Sequence, residues 1–256
     1  MEVDRYEHGV PSWVDLGTPD IAKGAEFYSS LFGWDVEMGP PEAGGYSIAT
    51  LRGKPVAGLG PQMNPGPPYW TTYVNVDSAD DAVAKAKANG GTVYMEPMDV
   101  MDAGRMAIFA DPIGAAIAVW QPASHPGAGI VNEVNTYGWS ELVTTDIEKS
   151  KTFYGAVFGW GSETHGEGGP MAYTEWKVGG RSVGGMMLKP PMMPAEVPPH
   201  WGIYFTVDGT EAAMEKVKEL GGQVLMGPMD VEPGKIAVVQ DPQGAVFNII
   251  TLKPQP

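Results

Sequence analysis

Residues 13–34 read WVDLGTPDIAKGAEFYSSLFGW, and residues 139–160 read WSELVTTDIEKSKTFYGAVFGW. Both stretches begin with a tryptophan, continue through Thr-x-Asp and Phe-Tyr, and end with Phe-Gly-Trp. An Asp followed by apolar residues at helical spacing, with a glycine after the last of them, is typical of a capped amphipathic helix. Each stretch therefore predicts a short strand followed by a helix, and the pair predicts an internal duplication.

The duplication extends well beyond these two stretches. The run PMDV occurs at 97–100 and at 228–231, and an Asp-Pro-x-Gly turn occurs at 111–114 and at 241–244. The spacing between matches changes slightly in Gly- and Pro-rich loops, where insertions are tolerated. The sequence therefore predicts three parts, which are a first domain over 1–121, a linker over 122–134 and a second domain over 135–256.

Within each half, a strand, a helix and three further strands are predicted twice. In the first half, one helix follows Asp20, and a second runs from about Ala79 to Asn89 with Ser78 as its cap and Gly90 after its end. Short apolar runs bounded by Gly and Pro supply the strands. We therefore expect an α+β chain made of four βαβββ modules.

The composition excludes several classes of protein. The 256 residues carry a formal net charge of −15 and include no cysteine. Disulfides and zinc–thiolate sites are therefore excluded, and the acidic surface repels the phosphates of nucleic acid. No apolar run is long enough to span a bilayer and the N-terminus does not resemble a leader, so we expect a cytoplasmic protein with no membrane partner. The four histidines fall in separate regions, with His125 in the linker, and predict no cluster.

Paired βαβββ modules with Thr-x-Asp, Phe-Tyr, Phe-Gly-Trp and Asp-Pro-x-Gly resemble the vicinal-oxygen-chelate superfamily, which includes glyoxalases, bleomycin-resistance proteins and dioxygenases. The resemblance covers about residues 9–122 and 135–252. Within the superfamily, the chain resembles two-domain actinobacterial members. The resemblance implies that each pair of modules forms a cup-shaped, mostly antiparallel sheet whose concave face holds the site.

Metal-dependent members of this superfamily carry ligands at three positions of each domain, on the first strand, on the strand before the second helix and on the last strand. An indole N–H only donates hydrogen bonds, and a methyl group has no ligand atom. We therefore expect neither a metal nor any other cofactor. The corresponding positions here are Trp13, Trp70 and Ala118 in the first domain and Trp139, Trp201 and Asn248 in the second.

Each domain keeps an acid two positions after its first tryptophan, Asp15 after Trp13 and Glu141 after Trp139. Side chains two apart on a strand share a face, so both acids are expected to face a cup as candidate catalytic bases. Indole rings bind flat aromatic molecules and cations. The candidate ligand-binding residues are Trp13, Trp70, Thr72 and Trp120 in the first cup and Trp139, Trp201 and Asn248 in the second.

Two simpler explanations stay open for these residues. The tryptophans are core residues that fill the space of the lost metal site, or the two acids form structural ion pairs with nearby basic side chains. A lone carboxylate on an apolar face costs free energy unless it is paired or hydrated. The basic candidates are Arg52, Arg105, Arg181 and Lys235.

Three functions follow from this pattern. The favoured one is a metal-independent protein that binds a small aromatic or cationic molecule in its cups, as in sequestration or resistance. The alternatives are a metal-free isomerase, lyase or hydroxylase-like enzyme that uses a cup carboxylate, and a non-catalytic interaction protein whose cups are filled by tryptophan. We expect a monomer of two fused domains, with a dimer as the alternative.

Overall fold

Each half of the repeat begins with a strand that leads into a capped helix. The computed structural model describes residues 1–63, 65–166, 169 and 172–253, apart from the side chain of Glu42. The first helix starts after Asp20, whose carboxylate accepts the Lys23 N–H at 3.1 Å. It ends at Gly33, whose φ of 71° lies in the left-handed region that favours glycine. The corresponding helix of the second half has the same two ends, at Asp146 and Gly159.

The described part of the first half contains eight strands and two α-helices. A short 3-10 turn over Pro41–Ala43 precedes the third strand. In chain order the elements are β1 Pro11–Thr18, α1 Ile21–Phe32, β2 Asp35–Glu37, β3 Ser47–Leu51, β4 Lys54–Pro61, β5 Tyr69–Asn75, α2 Ala79–Ala88, β6 Thr92–Val100, β7 Gly104–Ala110 and β8 Ala116–Pro122.

The described part of the second half repeats this order. Its elements are β9 Tyr137–Thr144, α3 Ile147–Phe158, β10 Gly161–His165, β11 Tyr173–Val178, β12 Arg181–Leu188, β13 His200–Thr206, α4 Thr210–Glu219, β14 Gln223–Val231, β15 Gly234–Gln240 and β16 Val246–Leu252.

The strands form two eight-stranded mixed sheets with the same topology. The first has the order β2-β3-β4-β1-β5-β8-β7-β6, and the second has the order β10-β11-β12-β9-β13-β16-β15-β14. Strands β1 and β5 are antiparallel at the centre of the first sheet, whereas β1 with β4 and β5 with β8 are parallel. The predicted α+β fold of four βαβββ modules in two domains is confirmed.

The hydrophobic core lies between the two domains. One cluster combines the first module with the fourth, so that Phe32 of α1 packs on Phe205 of β13 with ring centroids 5.0 Å apart. The other cluster combines the second module with the third, and Phe109 of β7 packs on Phe153 of α3 at 6.1 Å. The apolar faces of the two halves are therefore buried against each other.

A polar contact crosses each of these interfaces. In the Asp-Pro-x-Gly turn of the first domain, Asp111 Oδ1 accepts three backbone N–H groups, and its Oδ2 accepts the hydroxyl of Tyr154 from the second domain at 3.1 Å. The indole of Trp201 donates to the same hydroxyl at 2.9 Å. The symmetric contact joins Trp70 to Tyr28 at 3.0 Å and Tyr28 to Asp241 at 3.1 Å. We call these the Trp–Tyr–Asp chains.

We expect Tyr154→Phe to lower the free energy of unfolding by about 1–3 kcal/mol, because it leaves the buried indole N–H of Trp201 without an acceptor and removes a donor to Asp111. Urea denaturation followed by circular dichroism measures this loss. Tyr94 is 59% exposed on an edge strand, so Tyr94→Phe is the matched control, with an expected change within about 0.5 kcal/mol. Equal stability of the two variants would contradict the proposed role of the chains.

Candidate functional site

The pairing of β1 with β5 decides which side chains share a face with Asp15. Asp15 lies directly opposite Thr71, and Trp13 lies opposite Tyr73. Opposite residues of an antiparallel pair project to the same face. We call this face, with Trp13, Asp15, Thr71 and Tyr73, the N-terminal cup. The equivalent face of the second sheet, with Trp139, Glu141, Gly202 and Tyr204, is the C-terminal cup.

The expectation that Trp70, Thr72 and Trp201 line the cups is wrong. Trp70 and Thr72 flank Thr71 on their strand, and Trp201 directly precedes Gly202. Successive residues of a strand point to opposite faces of the sheet, so these three side chains point away from the cups. Trp70 and Trp201 lie on the face covered by helices, in the Trp–Tyr–Asp chains. The Thr72 hydroxyl forms a 2.6 Å hydrogen bond with Ser140 of the other domain.

Asp15 is surrounded by hydroxyl groups. Its carboxylate accepts hydrogen bonds from Tyr73 at 2.8 Å and from Tyr46 at 3.2 Å, and Thr71 also bonds to it. Trp13 in turn donates its indole N–H to the Tyr46 hydroxyl at 2.9 Å. Burial raises the pKa of Asp15 to about 6, although the three hydroxyl groups partly offset this effect.

Glu141 has the same surroundings in the C-terminal cup. Tyr204 donates to Oε1 at 2.9 Å, Tyr173 is a second hydroxyl partner, and Trp139 donates to the Tyr173 hydroxyl at 2.9 Å. Burial raises the pKa of Glu141, and these hydrogen bonds oppose the rise. Burial also raises the pKa of Tyr204, so its hydroxyl keeps its proton and acts as a donor at neutral pH.

A glycine in the neighbouring strand makes room for each of these tyrosines. Gly58 lies opposite Asp15, and a Cβ at Gly58 would stand 1.9 Å from the Tyr46 hydroxyl oxygen. A Cβ at Gly185 would stand 1.8 Å from that of Tyr173. The ring therefore crosses the strand beside the acid only because the side chain beneath it is absent.

The predicted ion pairs of the two acids are not formed. Arg105 binds Asp80 and Asp99, and Lys235 binds Glu211. Arg52 binds Glu133, and Arg181 binds Glu7. The basic side chains that were the candidate partners all have other acids, and hydroxyl groups hold Asp15 and Glu141 instead.

The two cups differ at the positions around this shared cluster. Ala118 and Trp120 of the N-terminal cup correspond to Asn248 and Ile250 of the C-terminal cup, and Asn248 donates its amide to the Ile203 carbonyl at 3.0 Å. Trp13 is only 4% exposed, whereas Trp139 is partly exposed. Trp139 is therefore the more accessible of the two indoles, whereas Glu141 is buried and Asp15 is partly exposed.

A row of acids continues from Glu141 towards the edge of the second sheet. The register places Glu141, Gly185, Glu175 and Glu163 side by side across four strands. Lys177 contacts Glu175 at 2.6 Å and Glu163 at 3.0 Å, so an ammonium group already balances part of this charge. In the first sheet the corresponding row is Asp15, Gly58, Ile48 and Glu37, so that Ile48 stands in the place of Glu175.

Sequence comparison identifies the family of the chain. The model of the Glyoxalase/Bleomycin resistance protein/Dioxygenase superfamily matches residues 11–119 and 133–249. The chain belongs to this superfamily. Among its relatives, "Putative glyoxylase CFP32" of Mycobacterium tuberculosis is 44% identical over 98% of both chains. The "Anthracycline biosynthesis protein DnrV" of Streptomyces peucetius is 37% identical over 97% of this chain and 95% of the relative.

Solved structures of the superfamily share the fold at low sequence identity. The Mn(II)-bound glyoxalase from Novosphingobium aromaticivorans has a TM-score of 0.66 at 17% identity, covering 96% of this chain and 84% of the other. The 2,3-dioxygenase LapB from Pseudomonas sp. KL28 also has a TM-score of 0.66, at 15% identity over 98% and 95% of the two chains. None of the described helices has the length and apolar character needed to cross a membrane.

Of the six residues at the superfamily's metal positions, only Asn248 has a side-chain atom that could bind a metal ion, and one amide oxygen does not make a metal site. Trp13 and Trp139 direct their indole N–H groups to tyrosines, Trp70 and Trp201 lie on the other face of the sheets, and Ala118 has no ligand atom. Within the described chain, three ligating side chains lie close together at Glu163, His165 and Glu175. Lys177 forms ion pairs with both of these glutamates and stands in the place of a cation.

The sequence does not show which hydroxyl groups hold the two acids. Tyr46 and Tyr173 recur in the repeat as possible hydrogen-bond donors, but nothing in the sequence pairs them with Asp15 and Glu141. Tyr73 and Tyr204 also recur, and their repetition beside Trp70 and Trp201 was the signal that could have revealed them. The β1–β5 register was needed to see that these tyrosines, and not the tryptophans, face the cups.

The raised pKa of Asp15 predicts a pH dependence of stability. The unfolded chain releases this proton at lower pH than the folded protein does, so the free energy of unfolding falls as the pH rises from about 4 to about 6. We expect the wild type to lose about 2 kcal/mol relative to Asp15→Asn over this range, a value reduced for the partial exposure of the side chain.

Urea denaturation at a series of pH values measures this difference. The exposed Asp35 supplies the control, because Asp35→Asn is expected to keep the wild-type slope. A wild type and an Asp15→Asn variant whose stabilities change in parallel from pH 4 to 6 would contradict the raised pKa.

Proposed function

We propose that this protein binds a small, flat aromatic molecule in the C-terminal cup without a metal ion. The observation that carries the proposal is a partly exposed indole, Trp139, on the same face as the hydroxyl-bound Glu141 and the amide of Asn248. An aromatic wall with a few convergent polar groups is the usual composition of a small-molecule site. The ring of the ligand packs on Trp139, and its polar substituents reach Glu141 and Asn248.

The charge of this cup favours a ligand with a basic group. Glu141, Glu175 and Glu163 share one row, and Lys177 is the cation paired with the outer two. The formal charge of −15 on the whole chain acts in the same direction. The relative DnrV is named for anthracycline biosynthesis, and anthracyclines contain fused, flat aromatic rings of the kind that an indole wall accepts.

The alternative of an interaction protein with tryptophan-filled cups finds no support from Trp70 and Trp201, because both lie on the opposite face. Their place in the Trp–Tyr–Asp chains explains them as core residues.

We expect 9-aminoacridine, a flat aromatic cation, to bind the wild type. We expect Trp139→Phe to weaken this binding about threefold to tenfold, because the contact of the ligand with the indole ring contributes about 0.5–1.5 kcal/mol. Isothermal titration calorimetry measures both affinities. Trp13, the counterpart of Trp139 in the first half of the repeat, supplies the matched control. Trp13→Phe removes the equivalent Trp-to-Tyr hydrogen bond from the N-terminal cup and is expected to leave the affinity for 9-aminoacridine unchanged. Equal effects of the two substitutions, or binding that EDTA abolishes, would contradict the proposal.

One observation favours a second candidate function, a metal-free proton transfer. Glu141 is buried, its pKa is raised, and two tyrosine hydroxyls fix its orientation. A carboxylate with a raised pKa is a stronger base than an exposed one and suits the removal of a proton next to a carbonyl.

For this activity we expect the wild type to accelerate deuterium exchange at the α-carbon of α-tetralone, an aromatic ketone, and Glu141→Gln to reduce the exchange to the uncatalysed rate. NMR follows the loss of the α-proton signal. Asp15→Asn tests the equivalent acid of the N-terminal cup, where the His125 ring packs on Trp13, and is expected to retain most of the activity. Exchange that persists in Glu141→Gln would exclude this carboxylate as the base.

A further inference from the structure

The linker between the domains places an aromatic ring in the N-terminal cup. The imidazole of His125 lies 4.6 Å from the ring of Trp13 and 5.9 Å from that of Trp120, edge-on to both. Trp13 and Trp120 are 4% and 6% exposed. Edge-to-face contact at these distances is the arrangement that aromatic pairs prefer. His125 therefore occupies the kind of position that an aromatic ligand would take against an indole wall.

The imidazole is held by ring contacts and not by a specific polar partner. Its Nε2 is buried and has no hydrogen-bond partner among the described residues. Burial lowers the pKa of His125, which favours the neutral ring. A buried nitrogen without a partner costs free energy, so the contacts with the two indoles must offset that cost.

The backbone around His125 is anchored independently of this ring. The His125 N–H donates to the Ala103 carbonyl at 3.0 Å, and its own carbonyl accepts the Trp120 indole N–H at 2.8 Å. On either side, Ser124 donates to Asp102 at 3.1 Å and Ala128 donates to Ser12 at 2.8 Å. The linker is therefore expected to keep its path when the imidazole is removed.

The C-terminal cup has a different residue at the corresponding position. The repeat spacing that matches Ala118 with Asn248 matches His125 with Gln255, which lies outside the described residues and is not aromatic. No ring among the described residues packs on Trp139 within the range of the contacts that Trp13 makes. The duplication has thus produced two similar cups, of which one receives a ring from its own chain.

We propose that the imidazole of His125 occupies the aromatic-binding position of the N-terminal cup and closes that position to free ligands in the wild type. The ligand that fits when this side chain is absent is a neutral five-membered or six-membered heteroaromatic ring that packs edge-on to Trp13 and Trp120. The two cups then differ at their indoles, since Trp139 is partly exposed while the His125 ring covers Trp13 and Trp120.

The test is to replace the side chain and return the ring as a free molecule. We expect His125→Ala to bind imidazole saturably, one molecule per chain, with shifts of the indole N–H signals of Trp13 and Trp120 in two-dimensional NMR spectra. The wild type and the control His200→Ala, which changes a histidine on β13 far along the chain from this cup, are expected to show neither. A folded His125→Ala variant that gives no such shifts overturns the proposal.

A second measurement covers the case in which His125→Ala does not fold. In the wild type, nuclear Overhauser contacts are expected between the His125 ring protons and the ring protons of both Trp13 and Trp120. Absence of these contacts also overturns the proposal. Both results are independent of whether 9-aminoacridine binds the C-terminal cup, so the failure of one proposal does not imply the failure of the other.

Discussion

The register between the two central antiparallel strands of each sheet determines the rest of the structure. Because Asp15 lies opposite Thr71, the tyrosine at 73 faces the cup and the tryptophan at 70 faces the helices. The same pairing in the second half directs Tyr204 and Trp201 to opposite faces. One tryptophan of each domain thus joins the core between the domains, while a tyrosine takes its place beside the acid. A shift of one residue would exchange these roles and leave both the core and the cups without their partners.

Both cups are organised around a carboxylate that has hydroxyl partners instead of a basic one. Two opposing effects determine the pKa of such a carboxyl group, because burial favours its protonated form while each hydroxyl donor favours its charged form. The fold is shared with the Mn(II)-bound glyoxalase from Novosphingobium aromaticivorans. Here the tryptophans at two of the former ligand positions point their N–H groups at the tyrosines that hold the acids. Each cup thus holds an acid within a cluster of hydroxyl groups.

The sequence was sufficient for the fold because the duplication, the Asp and Gly helix ends and the Asp-Pro-x-Gly turns are local signals that each half repeats. It was sufficient for placing Asp15 and Glu141, since alternation along one strand fixes which side chains share a face. It was insufficient for Trp70, Thr72 and Trp201, because their faces depend on pairing between strands, which alternation within one strand does not determine. The packing of the His125 ring on Trp13 and Trp120 depends on the path of the linker, and no sequence pattern around His125 predicts that path. The Trp–Tyr–Asp chains join residues more than forty positions apart.

Carboxyl carbon-13 NMR of Asp15 and Glu141 shows most directly whether the two cups hold protonatable carboxylates that bind no metal ion. We expect Asp15 to titrate with a midpoint near 6 and Glu141 above its ordinary range, and we expect added Mn²⁺ to leave both signals sharp. Midpoints at the ordinary values of exposed carboxyl groups, or selective broadening of either signal by Mn²⁺, would contradict these expectations.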